Sequence, residues 1–96
     1  MQWLPKTFGI TVSSGSGSSI INIAGPVGSI SLVPPDLNDP YDITITDAEG
    51  FILLSEQDIL GKSKIIINEG CVGNHTFALS NAHDGEFKVK IRWQAW

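Results

Sequence analysis

Residues 41–54 read YDITITDAEGFILL, and this stretch decides the fold. Tyr41, Ile43 and Ile45 alternate with Asp42, Thr44 and Thr46. A period of two puts one set on an apolar face and the other on a polar face, which predicts a half-buried strand. Asp47-Ala48-Glu49-Gly50 then supplies a turn, because Asp can bond its own backbone and Gly accepts a positive φ. Phe51 to Leu54 return as a second strand and close a hairpin.

Downstream of the hairpin, Ser55-Glu56-Gln57-Asp58 has the spacing of a helix N-cap with an acid three residues on. A single helical turn ending near Gly61 is expected there, the only helix in the chain. Lys64 to Asn68 (KIIIN) is a β-branched strand. Glu69 to Gly73 holds two glycines around Cys71 and reads as a loop. His75 to Ser80 directs Phe77 and Leu79 inward. Asn81 to Gly85 ends in Asp-Gly, a hairpin signal. In Glu86 to Trp93, the residues Phe87, Val89, Ile91 and Trp93 face one way, and Lys88, Lys90 and Arg92 face the other.

Upstream, Thr7 to Val12 alternates Phe8, Ile10 and Val12 on one face, a strand. Ser13 to Ser19 (SSGSGSS) reads as a surface loop. Ile20–Ala24 and Gly28–Val33 read as two short strands parted by Gly25-Pro26. Pro34 to Pro40 is a stiff connection whose prolines cannot donate to a ladder. The total is about seven to eight short strands with turn residues between them, the pattern of an all-β antiparallel β-sandwich or small barrel with at most one helical turn. Residues 1–6 form an N-terminal arm, and residues 7–96 form one domain, as a 96-residue chain allows.

Composition narrows the function classes. No apolar run approaches the ~20 residues of a spanning helix, so no membrane is expected. MQWLPKTFG lacks a basic segment followed by an apolar one, so no signal peptide is expected. The net charge of −4 argues against nucleic acid as a partner. Residues 1–35 carry one charged side chain, Lys6, whereas Asp36, Asp39, Asp42 and Asp47 crowd the next stretch. A surface so poor in charge is expected to be covered by another molecule. Cys71 is the only cysteine, which suits a reducing cytosol and leaves the Asn74-His75-Thr76 sequon without meaning.

Catalytic chemistry finds little to work with. Cys71, His75, His83 and Asp84 are the one set that could make a nucleophile and base, but a glycine-rich loop fixes no geometry between them. A small apolar cysteine and two solvated loop histidines is the plainer reading. One Cys and two His fall short of a zinc site. Asp36, Asp39, Asp42, Asp47 and Glu49 lack the acidic alternation of a calcium loop and read as turn formers. SSGSGSS does not lie between a strand and a helix, so it is no phosphate cradle. No enzyme, cofactor or metal is expected.

The chain ends are more informative. Trp is enriched at interfaces and their hot spots. Trp93 belongs to the inward face of its strand. Trp3, Leu4 and Trp96 are the candidate anchors on a neighbour. Lys88, Lys90 and Arg92 either guard an edge strand or meet an acidic partner surface, such as the aspartate-rich segment of another copy.

YDITITDAEG with FILL, followed later by HTFALSNAHDGEFKVKIRW, resembles a family of small tailed-bacteriophage virion proteins. The shared pattern is a Tyr-Asp-x-Thr-x-Thr-Asp-x-(Asp/Glu)-Gly hairpin, here Tyr41 to Gly50. A strand at Phe77 to Leu79, an Asn81-Ala82 turn and a closing strand from Gly85 to Ile91 follow. Gly28-Ser29-Ile30 and Val33-Pro34-Pro35 also fit, so the resemblance covers about two thirds of the chain. The segment from Ser55 to Lys64 departs from it by being short. The resemblance implies a non-enzymatic structural protein, made in the host bacterial cytoplasm and located on the virion's capsid surface. It implies a capsid decoration or cement protein that binds the major capsid protein as a homo-oligomer, a dimer or trimer. The alternatives are a head–tail or tail component of the virion, and a small carbohydrate- or ligand-binding β-sandwich module.

Overall fold

The computed structural model describes residues 3–94. Six strands are present: β1 (Leu4–Val12), β2 (Gly17–Val33), β3 (Tyr41–Thr46), β4 (Ile52–Ile59), β5 (Ser63–Ser80) and β6 (Gly85–Trp93). They form one antiparallel sheet in the order β1-β6-β2-β5-β3-β4. The all-β class stands, with fewer and longer strands than expected.

The difference has three sources. Ile20–Ala24 and Gly28–Val33 are one strand, because Gly25 and Pro26 stay in the ladder opposite Cys71 and Gly70. Pro26 gives up a donor there, but its carbonyl still accepts from the Gln94 amide at 2.9 Å. Likewise Lys64–Asn68 and His75–Ser80 are one strand, and the expected Glu69–Gly73 loop is strand throughout. Ser55 to Asp58 form no helical turn; they lie in β4 and pair with β3. Non-local pairing outweighs the local capping pattern. The expected arm of residues 1–6 is also shortened, since Leu4 to Lys6 pair with Trp93 to Ile91 in β1.

The two long strands fold the sheet onto itself. The N-terminal half of β2 pairs with the C-terminal half of β5, which in turn pairs with β3. The C-terminal half of β2 pairs with the N-terminal half of β5 on one edge and with β6 on the other, and the register shifts at Gly28 in both ladders. A bulge there bends and twists the strand. The layers close face to face. Phe8 of β1 meets Phe77 of β5 edge-on at 5.2 Å between ring centres, and Tyr41 of β3 meets Phe87 of β6 at 5.0 Å. Neither pair comes from neighbouring strands. The result is a sandwich made of one folded sheet, with features of both expected architectures.

Inward positions follow the alternation of the sequence. β3 reads buried at Tyr41, Ile43 and Ile45, and β6 at Phe87, Val89 and Ile91. Ile10, Val12, Ile23, Val27, Ile30, Leu32, Cys71, Phe77 and Leu79 complete the core. Each such side chain contributes roughly 1.5–3 kcal/mol by leaving water.

The turns follow their chemistry. Ser14 and Gly15 have φ of 56° and 87°, and Ser13 and Ser16 bond each other across them. This is a two-residue hairpin turn with both central residues left-handed, so the expected Ser13–Ser19 surface loop is a tight corner whose last residues already belong to β2. At the β3–β4 turn, Asp47 Oδ1 accepts the amides of Glu49 at 3.0 Å and Phe51 at 2.9 Å, as the Asp-x-x-Gly pattern predicts.

Candidate functional site

Cys71 and His75 are both buried, which corrects the expectation of a solvated loop histidine. His75 lies inward on β5, and its Nδ1 donates to the Gly73 carbonyl at 3.0 Å. Cys71 directs its thiol to the Glu69 carbonyl at 3.7 Å. Burial pushes the Cys71 thiol up, and the Glu69 and Asp47 carboxylates push it further. A thiol held protonated, with the neighbouring imidazole committed to a backbone carbonyl, is poorly placed to act as a nucleophile. Asp47, Glu49, Glu69, Cys71 and His75 line a cavity of about 240 Å³ that is acidic at its mouth.

His83 is exposed and bonds Asp39 Oδ2 at 2.7 Å. Asp36 lies beside them, with ligand atoms of the three residues within 4.8 Å of one another. Asp36 Oδ1 already accepts the Asn38 amide at 2.9 Å. The trio ties the Pro34–Pro40 connection to the β5–β6 turn, and sequence spacing alone could not have joined them.

The outer faces of the sandwich are more distinctive. On the layer made by β1, β6 and the adjoining halves of β2 and β5, the outward residues carry cations. Lys88, Lys90 and Arg92 stand there on β6, opposite Val33, Ser31 and Ser29 of β2. Across β2, Lys64 and Ile66 face the same way, opposite Ser31 and Ser29. The face thus holds four of the chain's six Lys and Arg residues, all exposed. Small side chains between them leave two shallow cavities of about 260 and 300 Å³ that meet at Arg92. Glu86, packed against Gly9, stands at the far end of the β6 row.

Trp3 sits at the other end. Its ring atoms lie 3.0–3.4 Å from where a Cβ on Gly28 would be, so the missing side chain makes the seat. Trp3 remains 47% exposed and lines the cavity with Ser29, Lys64, Ile66, Asn68 and Arg92. The structure therefore brings Trp3, Lys88, Lys90 and Arg92 together. It separates Leu4, which shares the parity of inward Phe8 and Ile10 and stands at the rim beside Trp93. Trp96 lies outside the described residues. Lys64 and Ile66 belong to the face but were not anticipated; the parity of KIIIN marks them as neighbours of each other, while the β6-β2-β5 order is not legible in sequence.

The opposite outer face carries almost no charge. Ile20, Asn22 and Ala24 of β2 pair with Thr76, Asn74 and Val72 of β5, and Thr44 and Thr46 of β3 continue the surface. Ile20 and Val72 are 66% and 68% exposed. Asn22 Nδ2 donates to Asn74 Oδ1 at 3.0 Å. Charge enters at the margins, through Asp42 and through Lys6, whose ammonium donates to the Asn22 carbonyl at 3.3 Å.

No family model matches this sequence. No curated protein matches it. Solved structures match its fold at low identity. FLHE is 8% identical over 98% of this chain and 99% of that chain, with a TM-score of 0.56. CpGH89CBM32-6, produced by Clostridium perfringens, is 14% identical over 92% of this chain and 76% of that one, with a TM-score of 0.57. The Drosophila NLP-core is 11% identical over 95% and 96% of the two chains, with a TM-score of 0.53. These likenesses concern the sandwich architecture, which hosts many unrelated functions.

Proposed function

We propose that this chain is a non-enzymatic docking module, a virion structural protein of the capsid-decoration type. Its uncharged face seats on the major capsid protein, and its cationic face meets a further neighbour. The observation that carries the reading is the split between the two outer faces. A protein that lives free in solution intersperses both signs of charge over its surface. Here one face is nearly charge-free with exposed Ile20 and Val72, and the other gathers cations around Trp3. Two unlike faces suit a wedge between two unlike partners, and shape-matched apolar area would supply the affinity. The resemblance of Tyr41–Gly50 and Gly85–Ile91 to tailed-phage virion proteins supports the same assignment.

The test is co-sedimentation of the purified chain with decoration-free capsids of the same phage. Binding to saturation at high copy number, with a rise in the capsid's melting temperature, is expected. Ile20→Lys combined with Val72→Lys should abolish binding while leaving the chain's own melting unchanged. No binding by the wild-type chain would refute the assignment. Occupancy restricted to one vertex would replace it with a head–tail component.

A carbohydrate- or ligand-binding module is the second reading. The aromatic platform of Trp3 over a cavity that also offers the polar groups of Asn68 and Arg92 favours it. A glycan-array signal lost in Trp3→Ala would establish it.

A further inference from the structure

We propose that the cationic face is the socket for a second copy of this chain, and that the knob is the Pro34–Pro40 connection with Leu37 at its tip. The inference rests on reading the cationic face as a docking surface, and it names the occupant.

Charge selects the occupant. Among the described residues the one ion pair is His83 with Asp39, so Lys64, Lys88, Lys90 and Arg92 stand without carboxylate partners. The counter-charge lies elsewhere on the same molecule. Asp36 and Asp39 flank the connection. Asp84 reaches the Gly15 amide nearby, and Asp42 accepts from Asn81 at 2.7 Å and from the Asp58 amide at 2.9 Å. Five aspartates therefore gather at one end of the sandwich.

Shape and stiffness select the segment. Leu37 is 51% exposed between Asp36 and Asp39, an apolar tip with an acid on either side. The socket has the complementary order, with Trp3 and Ile66 as apolar walls and Lys64 and Arg92 beside them. The knob is also preformed. Pro34, Pro35 and Pro40 fix its backbone, Asp36 caps the Asn38 amide and His83 holds Asp39. A segment already ordered loses little entropy on docking.

Knob and socket are different surfaces of one chain, so the contact is head-to-tail. Such contacts close into rings or extend into open chains, and they do not make a two-fold dimer through one shared patch.

The experiment is light scattering on the full chain and on two variants. Leu37→Lys destroys the knob and keeps the socket. Lys64→Glu with Arg92→Glu destroys the socket and keeps the knob. All three positions are exposed, and unchanged circular dichroism and melting confirm the fold. The wild-type mass should rise with concentration at low salt. It should fall to the monomer near 1 M salt, where the screening length shrinks to about 3 Å. Each variant alone should be monomeric. An equimolar mixture of the two should give a one-to-one dimer that grows no further, because one intact knob meets one intact socket. A monomeric wild type at every concentration overturns the proposal. So does a mixture that stays monomeric while the wild type associates, or variants that associate like the wild type. Capsid binding would run through Ile20 and Val72 on the opposite face, so its loss and the loss of self-association are read separately.

Discussion

Replacing Tyr41 with Phe should cost about 1 kcal/mol at neutral pH, and part of that cost should vanish in alkali. The Tyr41 ring is fully buried and packs edge-on to Phe87 at 5.0 Å, so Phe keeps the packing. What is lost is the hydroxyl, which donates to the Gly61 carbonyl at 3.1 Å. One neutral hydrogen bond is worth roughly 0.5–1.5 kcal/mol net, and Gly61 is near enough to the surface to find water in its place. With an unfolding entropy of roughly 2.1 cal/mol/K per residue, 1 kcal/mol in a chain of this length lowers Tm by about 5 °C. The pH dependence separates this bond from any packing defect. Burial pushes the phenol from 10.0 up to about 12. Below pH 10 both the folded and unfolded chains hold the proton, and the group adds no slope. Between pH 10 and about 12 the unfolded chain loses it first, binds fewer protons, and wild-type stability falls. The Phe variant has no such group. Cys71 is also shifted upward, but it acts equally in both proteins and cancels in the difference. Urea titrations at neutral pH and in steps through the alkaline window would measure the gap. It should open at about 1 kcal/mol with equal m-values and narrow above pH 10. No gap at neutral pH, or a gap constant through the alkaline window, would refute this account of Tyr41.

Three further outcomes are expected. Gly17→Ala would drive a Cβ into the Thr11 carbonyl oxygen, a clash with backbone, so a loss of at least about 2 kcal/mol should appear in chemical denaturation. Gly28→Ala would set its Cβ against the Trp3 ring, which can swing away; a red shift of tryptophan emission, absent in the Trp3→Phe background, should accompany a Tm change of a few degrees at most, about 1 kcal/mol or less. The Asp58 amide, the larger influence, and the Asn81 side chain hold the Asp42 carboxyl below its ordinary value. Its stabilising contribution is present above the unfolded carboxylate value of 3.8 and fades as pH falls through the lower folded value. Asn81→Ala should raise the Asp42 midpoint seen by NMR titration, and an unmoved midpoint would refute the assigned partner.

The sequence made alternation legible wherever it was strict. Tyr41–Thr46 and Gly85–Trp93 are strands with the expected inward residues, and the Asp47 turn bonds as its residue types dictate. Interruptions misled. Gly25-Pro26 and the glycines around Cys71 look like breaks, yet they face each other within a continuous ladder. Ser55 to Asp58 carry a capping pattern that pairing with β3 overrides. The site was half legible for the same reason. Parity displayed Lys88, Lys90 and Arg92 as a row, but their company with Lys64, Ile66 and Trp3 depends on which strands adjoin. Strand order is set by contacts far apart in sequence, and no local signal encodes it.

The shared β2–β5 ladder also governs how the molecule must assemble itself. The β3–β4 hairpin closes locally, and its strands are inserted between the two long ones. β2 cannot pair until β5 has been made and brought back, and β1 must then find β6 at the opposite end of the chain. Neither layer is built from a contiguous stretch, so no fragment holds a complete half of the core. A topology so dominated by distant pairings folds on a scale of milliseconds to seconds rather than microseconds. The nascent chain therefore keeps β2 without its ladder until β5 has been synthesised.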